Sequence, residues 1–148
     1  MTEDIVVILV EDDLGHAELI KRHLLRAGIS ARMVHFRDAF MGLEHLKTIE
    51  PDPDRGPMCV ILLDIRLPGM DGVTFLKHVR RTYDPTVTPV IVLSTTDDPK
   101  EVARCYGSGC NAYVTKPTDY GEFSQLANGL LSFIDLLAHN EACGPTSV

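Results

Sequence analysis

The chain has 148 residues, 45% hydrophobic, 24% charged and 6% aromatic, which suits one globular domain and excludes a disordered chain. Lys and Arg number 14 against 21 Asp and Glu, a net charge of −7. With no basic run, the chain is poorly suited to nucleic acid phosphates or an anionic membrane surface.

Ile5-Val6-Val7-Ile8-Leu9-Val10 is an unbroken aliphatic run, the pattern of a strand buried on both faces of a parallel sheet. It ends in Glu11-Asp12-Asp13. Ala17, Ile20, Leu24 and Ala27 then recur at helical spacing, and Gly28 stops the helix. Ala31 to Phe36 reads as a second strand. Asp38 can cap a helix carrying Phe40, Leu43, Leu46 and Ile49. Glu50 to Met58 is rich in proline and charge and reads as a loop. Cys59 to Leu63 is a third strand ending at Asp64, and the turn Pro68 to Gly72 opens a helix to about Tyr83.

Val90 to Leu93 is a fourth strand, followed by Ser94-Thr95-Thr96. Asp97 or Asp98 can cap the next helix, with Pro99 in its first turn and Gly107 and Gly109 closing it. Ala112 to Thr115 is a short fifth strand ending at Lys116-Pro117. Thr118 or Asp119 caps a last helix to about Leu137, and Asn140 to Val148 reads as a frayed tail.

Five strands alternating with five helices imply a parallel sheet with helices on both faces. No apolar stretch approaches the ~20 residues of a membrane span. The acidic Thr2-Glu3-Asp4 start is unlike a secretory signal, so a cytoplasmic protein is expected. Cys59, Cys105, Cys110 and Cys143 form no C-x-x-C pair and read as structural thiols.

In such a sheet, sites form beyond the carboxyl ends of the strands. Here those ends deliver Glu11, Asp12 and Asp13, then Asp64, Ser94 and Lys116. Neighbouring carboxylates repel unless a cation sits among them. Oxygen donors without His or Cys suit a hard ion such as Mg²⁺. A metal beside an aspartate, a hydroxyl and a lysine is also a phosphoryl-transfer arrangement, with Asp64 as nucleophile. Taken singly, each acidic residue reads equally well as a helix cap and Lys116 as a loop residue. Their joint appearance at the ends of different strands is hard to obtain by accident.

The blocks Ile8 to Asp13, Leu62 to Gly72, Pro89 to Ser94 and Tyr113 to Pro117 resemble the receiver domain of two-component response regulators. The resemblance runs from Ile5 to Leu137. It implies a flavodoxin-like doubly wound fold with strand order 2-1-3-4-5, a receiver domain over residues 1–138, a flexible tail over 139–148 and no output domain. It implies Asp64 as phosphoacceptor, with Mg²⁺ held by Glu11, Asp12, Asp64 and the Arg66 backbone carbonyl. Ser94 would move toward the phosphoryl group, Tyr113 would turn inward, and Lys116 would neutralise charge. Pro117 would follow a cis bond.

The same resemblance implies a binding and signalling role rather than an enzyme's. The partner is a sensor histidine kinase docking on Ala17, Ile20, Pro117 and Thr118. The output would be a change in the face made by the fourth helix, fifth strand and last helix. The long Glu50–Met58 loop and Leu93 to Thr96 look like the receivers that accompany bacterial phytochromes, so a bacteriophytochrome is a candidate kinase. Thr95 stands where relatives mostly have a smaller residue, and slow turnover of the phosphorylated form is expected. The wide apolar stripe of the last helix, with Phe133 at its edge and Leu136 pointing away, raises a homodimer through that helix and the tail.

An alternative is an Mg²⁺-dependent hydrolase with an aspartate nucleophile. Phosphatases of the haloacid dehalogenase type need a second Asp two residues on, and Arg66 stands there. A nucleotide-binding domain would need a Gly-rich loop where Glu11-Asp12-Asp13 lies.

Overall fold

The computed structural model describes residues 5–49 and 58–143. The loop expected over Glu50–Met58 lies outside them, save for Met58. The elements are β1 (Ile5–Val10), α1 (Leu14–Ala27), β2 (Arg32–Phe36), α2 (Ala39–Ile49), β3 (Met58–Asp64), α3 (Gly72–Thr82), β4 (Val90–Ser94), α4 (Pro99–Gly107), β5 (Ala112–Thr115) and α5 (Phe123–Cys143). All strand pairs are parallel and the order is β2-β1-β3-β4-β5.

Alternation along each strand divides the core in two. Val6, Ile8 and Val10 face α2, α3 and α4, where Leu46, Phe75, Leu76, Val79 and Cys105 are buried. Ile5, Val7 and Leu9 face α1 and α5, with Ala17, Ile20, Leu24, Phe123, Leu130 and Ile134. Every residue of β1 is buried, and each such aliphatic side chain contributes roughly 1.5–3 kcal/mol over an exposed one.

The helices start where short acidic side chains satisfy their free amides. Asp13 accepts from the His16 amide, Asp38 from Met41, Asp71 from Thr74 and Asp98 from Lys100. After α4, the Cys110 amide donates to the Cys105 carbonyl and Gly109 to Tyr106, both at 3.1 Å. This closing motif needs a left-handed residue, and Gly109 has φ +105°.

From Pro117 onward the structure departs from the sequence reading in three places. Asp119 does not open the last helix directly. It accepts from the Gly121 amide and starts a single 3-10 turn over Tyr120–Glu122, after which α5 begins. Helix α5 runs past Leu137 to Cys143, so residues 139–143 of the expected tail are helical; residues 144–148 lie outside the described residues. Gly144-Pro145 is the first breaker in the sequence beyond Leu137. Among the described residues every peptide bond is trans, so the expected cis bond before Pro117 is absent. An X–Pro bond prefers trans by only about 0.5–1 kcal/mol, so the sequence alone does not decide it.

At the amino-terminal rim of the sheet, half-buried Arg80 ties the loop before β4 to the loop before β5. Its Nε donates to the Gly109 carbonyl at 2.7 Å, and its terminal nitrogens donate to the Thr88 carbonyl and to Asn111 Oδ1, each at 2.8 Å. Asn111 Oδ1 also accepts from the Val90 amide, which starts β4. Nothing in the sequence signalled this clamp.

Candidate functional site

Strand register assembles the site. Val10 pairs with Leu63, Asp64 with Leu93, and Ser94 with Thr115. Glu11, Asp64, Ser94 and Lys116 therefore lie along one carboxyl rim, within one residue of the strand ends. The Glu11 amide donates to the Phe36 carbonyl at 3.0 Å. His35 Nε2 lies 2.7 Å from the Glu11 carbonyl. Together they fix the first acidic residue against β2.

Lys116 and Glu11 are both buried and hydrogen-bonded to each other through Nζ and Oε1. Lys116 Nζ also stands 3.8 Å from Asp64 Oδ2. Asp64 Oδ1 accepts from the Arg66 amide at 3.1 Å, while the Arg66 side chain is exposed. Glu11, Asp12 and Asp64 each offer a carboxylate oxygen, and these atoms lie within 4.8 Å of one another.

Three carboxylates face one ammonium. Burial pushes the Glu11 carboxyl up from 4.5 to about 7; the neighbouring Asp64 carboxyl adds to the rise, and Lys116 opposes it. The pocket lacks positive charge. Its donors are oxygens, and no His or Cys belongs to the cluster. That donor set fits a hard divalent cation.

Helix α3 closes tightly over this rim. A Cβ on Gly72 would lie 2.6 Å from Ile65 Cα and 2.9 Å from the Asp64 carbonyl oxygen. Glycine is what lets α3 begin against the end of β3, and the Gly72 amide donates to the Ile65 carbonyl at 3.0 Å.

Ser94 is fully buried, and its Oγ accepts from the Thr96 amide at 3.2 Å. Thr95 is exposed beside it. Tyr113 is half-buried, and its hydroxyl donates to the Thr96 carbonyl at 2.6 Å. Burial raises the Tyr113 pKa, so the hydroxyl keeps its proton as a donor. The ring is thus already seated against the β4–α4 loop.

The expected docking set divides. Pro117 is half-buried and Thr118 exposed. Ala17 and Ile20, however, are 2% and 1% exposed and belong to the core under α1. Their helical spacing marks the face turned to the sheet, so they offer a kinase nothing to touch. Leu14 and Leu25, 54% and 62% exposed, are the large apolar residues that α1 presents instead, and Leu14 is the one in the turn that follows the site's acidic residues. On α5, Phe133 is half-buried against the core and Leu136 is 58% exposed. Cys59, Cys105 and Cys110 are buried free thiols, as the sequence reading expects.

One residue escaped that reading, and a second was assigned to solvent. His35 interrupts the apolar run of β2, which was its signal. His16, on the first turn of α1, reads from the sequence as a solvated helix residue or as a neighbour of the pocket; its Nδ1 lies 3.4 Å from Lys116 Nζ, so the latter holds.

Residues 7–128 match the response regulator receiver domain. The chain belongs to that family. The receiver is 31% identical to the probable methanogenesis regulatory protein FilR2 of Methanothrix harundinacea, over 95% of this chain and 88% of that protein. It superposes on a receiver domain from Rhodospirillum rubrum with a TM-score of 0.76 and 37% identity, covering 88% of this chain and 94% of the other. The phosphorylated cyanobacterial phytochrome response regulator RcpA gives 0.73 and 30%, covering 86% and 91%. The Mn²⁺-bound form of response regulator Rcp1 gives 0.74 and 28%, covering 87% and 93%. The five parallel strands in order 2-1-3-4-5 agree with these folds. Among the described residues no helix is long and apolar enough to cross a membrane.

Proposed function

We propose that Asp64 takes a phosphoryl group from the phosphohistidine of a sensor histidine kinase, with Mg²⁺ as cofactor, in the cytoplasm. One observation carries this reading: a buried ammonium, Lys116, is held between Glu11 and Asp64 at the rim where the carboxylates cluster. An Asp64 carboxylate oxygen forms the new bond to phosphorus. The bond from phosphorus to the donor nitrogen breaks, its electron pair returns to the imidazole, and solvent supplies that ring's proton.

Glu11, Asp12, Asp64 and the Arg66 carbonyl would hold Mg²⁺, which when bound supplies charge neutralisation to the phosphoryl oxygens. Lys116 offers a positive donor to one of those oxygens, and the Ser94 hydroxyl donates to another. Mostly the protein orients groups and offsets charge. The domain is a signalling phosphoacceptor that assists its own modification, not an enzyme with a separate substrate.

The output runs through the β4–α4 loop. A phosphoryl group adds about −1.5 to −2 charge and three acceptor oxygens. Drawing Ser94 toward them pulls on the loop that Tyr113 holds at Thr96, and the α4–β5–α5 face responds. Pro117 and Thr118, with Leu14, form the accessible rim for the kinase. The likeness to RcpA, a phytochrome response regulator, supports a bacteriophytochrome as that kinase. Exposed Leu136 supports a homodimer through α5.

The deciding experiment is incubation with Mg²⁺ and a small phosphodonor, read by intact mass. An acid-stable, base-labile phosphoryl adduct is expected on the wild type and none on Asp64→Asn. An adduct that survives this substitution rejects Asp64 as acceptor. For the dimer, Leu136→Glu should lower any mass above one chain measured by light scattering. A mass of one chain with and without phosphoryl overturns it.

A further inference from the structure

Lys116 sits at the centre of the pocket and has three protons to place. Glu11 Oε1 takes one. The Asp64 oxygen at 3.8 Å lies beyond ordinary hydrogen-bond length but within ion-pair range. The remaining neighbour is His16 Nδ1, at 3.4 Å. It reaches Lys116 from α1, an element that contributes none of the carboxylates.

The His16 ring is not loose. Its backbone amide donates to Asp13, which caps α1. The ring lies against the buried ring of Phe123 at the start of α5, centroids 6.1 Å apart and planes at 35°. Its side chain is 26% exposed. Asp13 Oδ2 lies 3.7 Å from the same Nδ1. If that nitrogen carried a proton, it would point at Asp13 or collide with an ammonium proton. With a bare lone pair it accepts from Lys116.

We propose that His16 is a positioning residue for Lys116: its Nδ1 accepts one ammonium proton, so that Glu11 and His16 fix two directions and leave the third for the Asp64 side. This rests on the phosphoacceptor reading of Asp64. It requires the neutral ring to carry its proton on Nε2. Lys116 is the only cation in contact with the carboxylates among the described residues. A side chain with so many rotamers must be held if it is to meet an incoming oxygen without delay. Glu11 alone fixes one contact and leaves rotation about it.

Two variants separate an acceptor from a space-filler. Asn places its side-chain oxygen near the position of a His Nδ1, whereas Leu fills the space and accepts nothing. The rate of adduct formation on Asp64 from a small phosphodonor should fall about fivefold in His16→Leu, the factor expected for one net hydrogen bond. It should return to within about twofold of wild type in His16→Asn. Mg²⁺ affinity by calorimetry should stay within about twofold in both, because His16 is not among the clustered carboxylates.

A wild-type rate in His16→Leu overturns the proposal, as does an equal loss in both variants. Independently of any variant, long-range ¹H–¹⁵N spectra of the wild type at pH 8 should show the proton on Nε2. A ring mostly protonated on Nδ1 overturns the proposal. If the wild type itself takes no phosphoryl group, the reading of Asp64 fails, which is a different result from any of these.

Discussion

The Tyr113 hydroxyl donates to the Thr96 carbonyl at 2.6 Å, joining β5 to the loop that follows Ser94. The Thr96 amide in turn donates to Ser94 Oγ. One loop residue thus connects the buried hydroxyl of the pocket with the aromatic ring of the output face. Such a chain passes on a change in Ser94 without contact between phosphoryl group and Tyr113.

Tyr113→Phe should loosen this loop while sparing the pocket. The lost bond is worth about 0.5–1.5 kcal/mol net. Amide exchange at Thr96 to Asp98 should therefore accelerate by roughly two- to tenfold. Phosphoryl uptake should stay within about twofold, because the hydroxyl's partner is a loop carbonyl and not a pocket carboxylate. Unchanged exchange in hydrogen–deuterium mass spectrometry would show that this bond does not hold the loop.

Glu11 sets a pH dependence whose sign is fixed by the direction of its shift. Its carboxyl titrates near 7 in the fold against 4.5 ordinarily, so the native state binds this proton more tightly than the unfolded chain. That stabilisation is complete below 4.5 and is lost as pH rises through 7. Asp13, Asp71 and Asp84 are shifted downward by hydrogen bonds, so their contributions change only below about pH 4 and leave this window clear. Melting temperature in EDTA should fall from pH 5 to pH 8, and Mg²⁺ should restore it at pH 8. Asp12→Asn removes one of the crowded carboxylates. It should raise the metal-free melting temperature at pH 8 by about 2–4 °C, the shift for ~1 kcal/mol. It should also remove most of the gain from Mg²⁺. A metal-free melting temperature that climbs steadily over this range contradicts the account.

Gly72→Ala places a methyl group 2.6 Å from the Ile65 Cα. Backbone must move, at about 1–3 kcal/mol, and the movement falls on the segment after Asp64. A lower urea midpoint and slower phosphoryl uptake should appear together. Gly107→Ala is the control. Its Cβ meets nothing within 4 Å, and at the end of α4 it should be neutral or slightly stabilising. Equal urea midpoints for the two variants would rule out the clash.

Arg80→Met should unfold at lower urea, by about 2–4 kcal/mol, because it strands the Gly109 and Thr88 carbonyls and Asn111. Arg80→Lys should not rescue it, since an ammonium lacks the planar fork that serves all three at once. Phosphoryl uptake by the folded fraction should be unchanged, the clamp being at the opposite rim. A midpoint within error of wild type would reduce the clamp to a surface decoration.

Much of this was legible in the chain. The apolar runs of β1, β3 and β4 could only be strands covered on both faces. The residues ending them were placed on one rim by the rule that parallel strands share a direction. Asp38 announced a helix start, and the pairs Asp12-Asp13 and Asp97-Asp98 each held one, because a cap acts within three residues of itself; the structure selects Asp13 and Asp98. The α1 stripe was equally plain, and it should have withdrawn Ala17 and Ile20 from docking: a residue that fills the core at helical spacing is not on the surface.

What the sequence by itself determined, then, was element order, sheet direction and which polar groups reach the rim, because each follows from local periodicity and capping. Only the tertiary structure decided that His16 meets Lys116, that Arg80 spans to Gly109 and Asn111, and that Tyr113 reaches Thr96. Those contacts join different elements. Where a long side chain finds its partner depends on how helices seat on the sheet, and no short window of sequence contains that geometry.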